Sequence, residues 1–499
     1  MKTYNTSSLG LPNGWIWATL EDCVDILDGQ RVPINAKERE QRKAGKSQSE
    51  LFPYYGATGQ VDWIDGFLFN EELVLLGEDG APFLEPLKAK AYVIKGKSWV
   101  NNHAHVLRAI SGLLSSLYLC NYLNIFDYQN YVTGTTRLKL NQAPMRKIPI
   151  PLAPFNEQVR IVARLEELFA RLDAGVEGLR KVKAQLKRYR QAVLKYAFEG
   201  KLTEKWRKTH KDQIEPATKL LERIKQERRE KLGTKYKEPP PIDVSRLPEL
   251  PESWMWIRLG EISKRMQYGT SEKASTEPSG IPVLRMGNIQ EGKIVFDELK
   301  YFHEDWSQLN EFLLNDGDVL FNRTNSAELV GKTAVYREHH PKAVFASYLI
   351  RVQVDKTVYI PGILSFFINS FYGRKYISSV VSQQVGQANV NGTKLSLMPI
   401  PLIPYQEQIV IQQEIERCFS ITDEMEEATE QSLKQADLLR QSILKMAFEG
   451  KLAPQDPSDE PAEKLLERIK AERAKSKGEK VINKKKNKPK QLELSAYVE

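Results

Sequence analysis

The chain has 499 residues, of which 41% are hydrophobic and 27% charged, and its formal net charge is +9. This length exceeds what one hydrophobic core serves, so we expect two or more domains, and the positive charge suits a polyanionic partner without demanding one. The three cysteines lie far apart without CxxC spacing, so neither a disulfide framework nor a zinc site is indicated. Residues 1–5 form no apolar signal core and no stretch is apolar enough to span a bilayer, so we predict a reduced, cytoplasmic setting without export or membrane.

The first block of the chain, residues 15–147, begins after the sequence LPNGW at 11–15, which we call the first opener. Short β-like runs occupy 73–76, 91–94 and 105–107 and alternate with loops. A helix is predicted near 113–122. The block therefore reads as a mixed α/β domain.

A proline-rich motif and a long helical pattern follow this block. The motif reads IPIPLAPFNEQ at 148–158, where the prolines favour an extended approach and delay the helix. From Phe155 to Glu199 the predicted helix would be roughly 68 Å long, and Gly200 offers a left-handed C-cap. Apolar residues spaced by three or four predict a coiled-coil seam, formed by Leu165, Leu168, Leu172, Val176, Leu179, Val182, Leu186, Tyr189 and Val193.

The region between the two halves carries its own repeat. The sequences EPATKLLERIK at 215–225 and EPAEKLLERIK at 460–470 predict short amphipathic helices. A stiff linker, EPPP at 238–241, separates the halves. The second opener, LPESW, stands at 250–254.

The second block, residues 254–397, repeats the order of strands and then a helix. Its predicted strands lie at 281–286, 318–322, 332–336 and 348–354, and its predicted helix runs from 361 to 372. The loop sequences differ from those of the first block. We therefore expect the same fold with a different surface.

The proline motif and the long helix return 250 positions later, as MPIPLIPYQEQ at 398–408, and AFEGKL ends the helical pattern at both 197–202 and 447–452. The second seam is predicted on Ile415, Met425, Ala436, Leu439, Ile443 and Met446, and it is weakened by Thr422 and Ser432. Its natural partner is the first helix. A repeat this long indicates a duplicated architecture.

The order of these elements predicts an α+β fold with an internal pseudo-two-fold repeat. We predict globular blocks at 1–147 and 250–397, helical regions at 148–249 and 398–475, and a basic, disordered tail at 476–499. Antiparallel pairing of the long helices would set the two blocks at opposite ends of a coiled coil. Two unlike readers at a fixed separation suit two unlike DNA half-sites on one duplex.

The ordered, duplicated motifs resemble the specificity subunits of type I restriction-modification systems. The matches are LPxxW at 11–15 and 250–254, PIPLxP with EQ at 149–158 and 399–408, and FEGKL at 198–202 and 448–452. GDVLFNRTN at 317–325 and LVGKTA at 329–334 also look like a recognition domain of this family. The resemblance covers nearly the whole chain.

The resemblance implies a non-catalytic scaffold that binds double-stranded DNA at a bipartite site. It implies two bound copies of an adenine-N6 methyltransferase subunit, which in turn recruit the restriction subunits. S-adenosylmethionine, ATP and Mg²⁺ are then expected on the partner subunits only, and this chain is expected to hold no cofactor. The rival interpretation is a free-standing structural or regulatory DNA-binding protein without enzyme partners.

A search for catalytic motifs agrees with a non-catalytic chain. The sequence contains no NPPY or DPPY methyltransferase element and no Gly-rich turn for a nucleotide. Gly331-Lys332-Thr333 is not a phosphate loop, because Ser326 stands where that motif needs glycine. NNHAH at 101–105 offers two imidazoles, but no carboxylate or cysteine cluster accompanies them in the sequence, so no metal site is predicted.

Base reading requires amide, hydroxyl and basic side chains on exposed loops. In the first block we predict DNA contacts from Gln30, Arg31, Tyr55, Asn101, Asn102, His103, Thr135, Thr136 and Arg137. In the second block we predict them from Tyr268, Gly269, Thr270, Ser271, Arg285, Asn288, Arg323, Thr324, Asn325, Lys332, Gln384, Gln387 and Asn389. For any single residue the alternative is a solvated loop side chain.

Two sets of aromatic residues belong to the repeated motifs rather than to the loops. Trp15, Trp17, Trp254 and Trp256 alternate at strand spacing, which favours structural packing over base stacking. Phe198 and Phe448 could be core residues. Their duplicated setting, with Glu199 and Glu449, favours docking sites for two identical partner subunits.

Overall fold

A computed structural model of the chain describes residues 10–245, 247–384 and 387–486. The chain forms two compact units: unit 1 comprises Met1–Leu179 with Glu430–Glu499, and unit 2 comprises Arg180–Thr429. Two 44-residue helices, Phe155–Phe198 and Tyr405–Phe448, each supply residues to both units. Within the described ranges, no helix combines the length and apolar character needed to cross a bilayer.

Unit 1 is built around two four-stranded sheets. The first is antiparallel throughout and has the order Val24–Ile26, Ala104–Ala109, Leu73–Gly77 and Ala91–Ile94. The second has the order Gly59–Ile64, Phe52–Gly56, Lys97–Val100 and Phe69–Asn70. Two-stranded pairs join Ile16–Thr19 to Pro149–Leu152 and Val132–Thr133 to Lys139–Leu140. The short helices are Leu20–Cys23, Ala36–Lys43, Ser116–Ile125 and Gln142–Arg146.

Unit 2 repeats the general arrangement of unit 1, but its sheets differ. Its four-stranded sheet has the order Ser263–Tyr268, Leu349–Val354, Val319–Asn322 and Thr333–Val335. Three-stranded sheets join Lys300–Phe302, Ile281–Leu284 and Val344–Phe345, and also Thr324–Asn325, Gln387–Asn389 and Ser382–Gln384. Pairs join Met255–Arg258 to Pro399–Leu402 and Ile289–Gln290 to Lys293–Ile294. The shorter helices are Glu204–Thr209, Ala217–Leu232, Leu259–Ile262, Leu309–Phe312, Pro361–Asn369, Phe371–Val380 and Gly392–Ser396.

The repeated Glu-Gln pair explains how each long helix is tied to its block. In unit 1 the buried Glu157 accepts a hydrogen bond from Trp15 Nε1 at 3.0 Å, while Gln158 accepts from the Ser115 N–H and donates to the Leu113 carbonyl, both at 2.9 Å. In unit 2 Glu407 accepts from Trp254 Nε1 at 2.7 Å, and Gln408 accepts from the Ile360 N–H at 2.8 Å. The opener and the block therefore meet at the first turn of the helix.

The repeated glycine ends each long helix at a site that admits no side chain. Gly450 has φ +68°, and a Cβ there would lie 2.3 Å from Cγ of Pro12 in the first opener. Gly200 has φ +69°, and its Cβ would lie 2.3 Å from Cγ of Pro251 in the second opener. The motifs FEG and LP therefore pack against each other once in each unit.

A third repeated piece closes each unit. In unit 2 the helix Ala217–Leu232 follows the first long helix, and its Ala217 N–H donates to the Ser253 carbonyl at 3.1 Å. In unit 1 the same role falls to the helix Ala462–Lys486, whose Ala462 N–H donates to the Gly14 carbonyl at 2.8 Å. Unit 1 is thus completed by residues from the far end of the sequence.

The buried seam of the second long helix differs from the predicted one. Ile415 and Ile443 are buried as predicted, but Met425, Leu439 and Met446 are exposed. Thr422 instead lies in the seam with 1% of its surface exposed, and its hydroxyl donates to the Phe419 carbonyl at 2.9 Å. A threonine whose hydroxyl is satisfied by its own helix can be buried, so it does not interrupt the seam. In the first long helix Tyr189 is likewise exposed.

Two other expectations need correction. The helix predicted at 361–372 is two helices, because Ser370 ends the first and its hydroxyl caps the second by accepting from the Gly373 N–H at 3.5 Å. The tail predicted to be disordered from 476 continues the last helix through Lys486, and five of residues 476–486 are lysines, which are compatible with a helix. Residues 487–499 of that tail lie outside the described residues.

Candidate nucleic-acid interface

Four loops of unit 1 converge on a cleft of about 470 Å³. They are the turn after Phe52–Gly56, the segment after Leu73–Gly77, the turn before Ala104–Ala109 and the loop before Lys139–Leu140. The lining residues are Gly56, Ala57, Thr58, Val61, Asp79, Gly80, Asn101, His103, Thr136 and Arg137. The cleft is an open depression lined by both polar and apolar groups.

Asp79 organises this cleft. Its Oδ1 lies 2.7 Å from His103 Nδ1 and accepts a hydrogen bond from Arg137 NH2 at 2.9 Å. The Arg137 side chain is 61% exposed, so one edge of the guanidinium is fixed by Asp79 while most of the group faces solvent. Gly80 has φ +68° and leaves room for Arg137, because a Cβ there would lie 3.2 Å from Arg137 Nε.

The structure separates the predicted DNA-contacting residues of the first block into two groups. Gln30, Asn102, Thr135, Thr136 and Arg137 are exposed, and His103 is partly exposed. Tyr55 is half-buried, with its ring centroid 5.9 Å from that of Tyr92. The exposed group remains available to a ligand.

Arg31 and Asn101 are corrections. Arg31 NH1 donates to Glu78 Oε2 and to the Ala104 carbonyl, both at 2.7 Å, and its side chain is 13% exposed. Asn101 is 8% exposed, and its Oδ1 accepts from the His103 N–H at 2.8 Å. The Arg31 guanidinium and the Asn101 carboxamide oxygen are therefore engaged in contacts that hold the loops.

Carboxylates do accompany the imidazoles, contrary to the sequence expectation. Asp28, Glu78 and His105 bring their ligand atoms within 4.8 Å of one another. Burial opposes the ionisation of Asp28, but hydrogen bonds from His105, the Val106 N–H and Gln142 hold its pKa below the usual range. Arg31 forms an ion pair with Glu78, and His105 Nε2 lies 2.8 Å from the Leu140 carbonyl oxygen. The group is therefore an internally satisfied polar cluster rather than a vacant set of ligands.

In unit 2 the polar loops converge around Tyr268 and Arg323. The Arg323 guanidinium carbon lies 4.7 Å from the Tyr268 ring centroid. Asn389 Nδ2 donates to Thr324 Oγ1 at 2.8 Å, which joins the strands Thr324–Asn325 and Gln387–Asn389 through their side chains. Gly269 must be glycine, because a Cβ there would lie 2.3 Å from the Ala346 carbonyl oxygen.

Three predicted residues of the second block have structural contacts instead. Asn288 is 3% exposed, and its amide donates to the Val295 and Asp297 carbonyls at 3.0 and 2.8 Å. Thr270 is 5% exposed, and its hydroxyl accepts from the Glu272 N–H at 3.1 Å. The Arg285 guanidinium donates to the Glu298 carbonyl. These side chains fold the loops and are corrected as candidate readers.

The remaining predicted residues of the second block stay accessible to different degrees. Ser271 and Gln387 are exposed, whereas Asn325 and Lys332 are half-buried. Gln384 and Gln387 are partners on two adjacent antiparallel strands. The side chain of Gln384 lies outside the described part of the structure. Tyr268, Arg323, Thr324 and Asn389 are linked by direct side-chain contacts and form the polar surface of unit 2.

The family model described as the type I restriction modification DNA specificity domain matches residues 12–181 and 251–435. These segments include all but the first residue of each opener, both blocks and most of both long helices. The chain belongs to this family. Its repeated half is thus the specificity domain, present twice.

Known members of the family are similar over most of this chain. The EcoKI specificity subunit of Escherichia coli (strain K12) is 28% identical, and the match covers 95% of this chain and 99% of that subunit. The StySPI specificity subunit of Salmonella potsdam is 26% identical over 74% of this chain and 75% of that subunit. A chain of a solved type I restriction-modification complex, 17% identical, covers 89% of this chain with a TM-score of 0.55, which supports the fold.

The aromatic residues of this specificity protein are mostly structural. Trp15 and Trp254 are buried as predicted, although Trp17 is 41% exposed. Phe198 is completely buried with its ring 5.1 Å from that of Phe367, and Phe448 packs 5.0 Å from Tyr118. The prediction that these two rings are docking sites is corrected, because each ring is covered by its own unit. Glu199 and Glu449 are half-buried and pair with Lys201 and Lys451.

Asp79 is a residue of the candidate site that the sequence analysis did not select. The signal was present, because Glu78-Asp79-Gly80 follows a buried strand and Asp-Gly is typical of a turn. What the sequence could not supply was its partner Arg137, which is 58 residues away.

Proposed function

We propose that the chain is the non-catalytic, DNA-reading specificity subunit of a type I restriction-modification complex. Residues 1–147 and 250–397 are its two target-recognition domains, and each reads one half of a bipartite, asymmetric site. The observation that carries the proposal is one packing frame built twice with two unlike polar surfaces. An identical pair would read a symmetric site, whereas Asp79 with Arg137 differs in chemistry from Tyr268 with Arg323.

Both surfaces offer the groups that base edges require. Arginine can donate two hydrogen bonds to O6 and N7 of guanine, asparagine can accept from N6 and donate to N7 of adenine, and hydroxyls can bond either base. Exposed threonines and amides around the arginines can also position phosphates. These residues lie on loops and strand ends, while the sheets behind them hold the loops in place.

The long helices supply the proposed scaffold for two adenine-N6 methyltransferase subunits, which recruit the restriction subunits and carry S-adenosylmethionine, ATP and Mg²⁺. Three large apolar side chains are exposed at equivalent repeat positions in each unit. In unit 1 these are Val159, Leu439 and Met446, and in unit 2 they are Ile409, Tyr189 and Tyr196, all between 40% and 53% exposed. Two matching apolar surfaces fit two copies of one partner.

Methylation of genomic DNA tests the reading function. The full chain is expressed in a methylation-free host together with the methyltransferase subunit encoded near its gene, and modified adenines are mapped by sequencing. We expect a split motif with two unlike halves, absent from the host that expresses the methyltransferase alone. If both proteins are soluble and no new motif appears, the proposal fails and a free-standing DNA-binding protein becomes the better interpretation.

The stoichiometry of the complex tests the scaffold. Met446→Glu should remove the methyltransferase copy at unit 1 and Tyr196→Glu the copy at unit 2, because a buried carboxylate is strongly disfavoured at an apolar contact. Native mass spectrometry should then show two methyltransferase copies for the wild type, one for either variant and none for the double variant. Leu84→Glu, at a 51% exposed position away from the long helices, is the matched control. Two copies retained by the double variant would refute this surface.

A further inference from the structure

Arg323 is held rigidly in the polar surface of unit 2. It follows the buried strand Val319–Asn322, and its guanidinium carbon lies 4.7 Å from the ring centroid of Tyr268. The Tyr268 hydroxyl accepts a hydrogen bond from the Gly392 N–H at 2.7 Å, so the ring is fixed at its far end. An arginine against a fixed ring loses much of its freedom before any ligand binds.

The hydrogen-bonding capacity of this guanidinium is largely unused. Its NH1 and NH2 reach only the Ser347 carbonyl at 3.4 Å and Asn389 Oδ1 at 3.5 Å, both long contacts, and its buried Nε has no partner among the described residues. No carboxylate in the described ranges lies within ion-pair distance of Arg323. Arg137 of unit 1, by contrast, is paired with Asp79 at 2.9 Å.

A half-buried cation without an anion is unfavourable unless a ligand supplies acceptors. Two parts of DNA can do so: a phosphate or the O6 and N7 atoms of guanine. A mobile lysine can bind a phosphate equally well. The planar guanidinium of a fixed arginine, by contrast, matches the geometry of the two guanine acceptors. Thr324 and Asn389 beside it carry further groups that can bond base edges.

We infer that Arg323, oriented by Tyr268, specifies a guanine in one half of the DNA site. The inference rests on the proposed function and adds the residue and the base. Arg323 then contributes sequence preference at a single position, and the other half of the site is independent of it.

The test compares methylation motifs of the wild type, Arg323→Lys, Arg323→Gln and Arg265→Gln, each as the full chain with the methyltransferase subunit. Loss of a bidentate arginine should reduce the preference for guanine at one position by roughly 10- to 100-fold in both Arg323 variants. The other half of the motif should stay intact, which also shows that the variant is folded. Arg265, on the strand Ser263–Tyr268 and 49% exposed, is the charge-matched control and should leave the motif unchanged.

Each outcome decides the inference. A guanine preference that survives undiminished in Arg323→Lys would show that the planar guanidinium is not required and would overturn the inference, as would a motif without guanine at the affected position. If Arg323→Gln gives no methylation at all, the lysine variant decides, because it keeps the charge and the alkyl stem. Absence of any motif for the wild type would instead refute the proposed function, on which the inference depends.

Discussion

Phe198→Ala is expected to lower the free energy of unfolding of unit 2 by about 3–5 kcal/mol. The ring is completely buried, meets Phe367 edge-on at 5.1 Å and belongs to the main core of unit 2. Removing it leaves a cavity that neighbours on both the block and the long helix cannot refill. The substitution therefore loosens the attachment between them.

Hydrogen exchange followed by mass spectrometry in increasing urea measures this effect, because it reports the units separately. Peptides of unit 2 should lose protection, while peptides confined to unit 1 should change little. Phe371→Ala is the control, since that ring is 51% exposed in the same unit. If the two variants behaved alike, Phe198 would be a surface residue and the docking interpretation would return.

Glu407→Gln is expected to lower the free energy of unfolding of unit 2 by about 2–3 kcal/mol, whereas the equivalent Glu157→Gln should be nearly neutral in unit 1. Glu407 is fully buried and receives hydrogen bonds from Trp254 at 2.7 Å, Thr203 at 2.6 Å and Arg207 at 2.9 Å. Glu157 is also buried, but its partners are Trp15 and Gln455, which are neutral. The negative charge of Glu407 is therefore stabilised by a hydrogen bond from a cation, whereas the hydrogen bonds to Glu157 come from neutral side chains.

The effect of Glu157→Gln should also depend on pH. Burial raises the pKa of Glu157, although hydrogen bonds from Trp15 and Gln455 and the charge of Arg160 act against the rise. A carboxyl with a raised pKa in the folded state stabilises below its unfolded pKa and loses that contribution as the pH rises through the folded pKa. Glu157→Gln should thus become more stable relative to the wild type as the pH rises from below to above the ordinary pKa of a glutamate.

The same exchange experiment, performed across this pH range, separates the two sites. Protection in unit 1 should improve in Glu157→Gln relative to the wild type as the pH rises, and protection in unit 2 should fall in Glu407→Gln. An equal loss at both positions would mean that Glu157 depends on a cation, contrary to its observed contacts.

Sequence periodicity predicted the repeat, the long helices and most of the buried strands. Ile281–Leu284, Val319–Asn322 and Leu349–Val354 lie within one or two residues of their predicted positions. These elements are specified by local alternation of apolar residues, which is visible in the sequence. The openers and the FEG motifs could also be located, but not their mutual packing, because that joins residues far apart in the chain.

The candidate DNA-contacting residues were less predictable for a physical reason. A polar residue on a loop can face solvent or hold the loop by hydrogen bonding to its backbone, and composition does not distinguish the two. Arg31 and Asn288 have taken the second role, while Arg137 and Arg323 have free edges. The prediction of the buried seam was wrong at Met425 and Thr422 for a similar reason. Side-chain polarity alone did not indicate which face of the helix is buried.

The helix that closes unit 1 has a consequence for biosynthesis. Unit 2 is one continuous stretch, Arg180–Thr429, so all its parts have emerged when its last residue is translated. The first block must wait for Ala462, Leu465 and Ile469 to cover its core, and at 5–20 residues per second the ribosome needs roughly 15–60 seconds to supply them. During that interval the nascent chain exposes an apolar surface that a chaperone can bind. The first block to be synthesised is therefore the last to be completed.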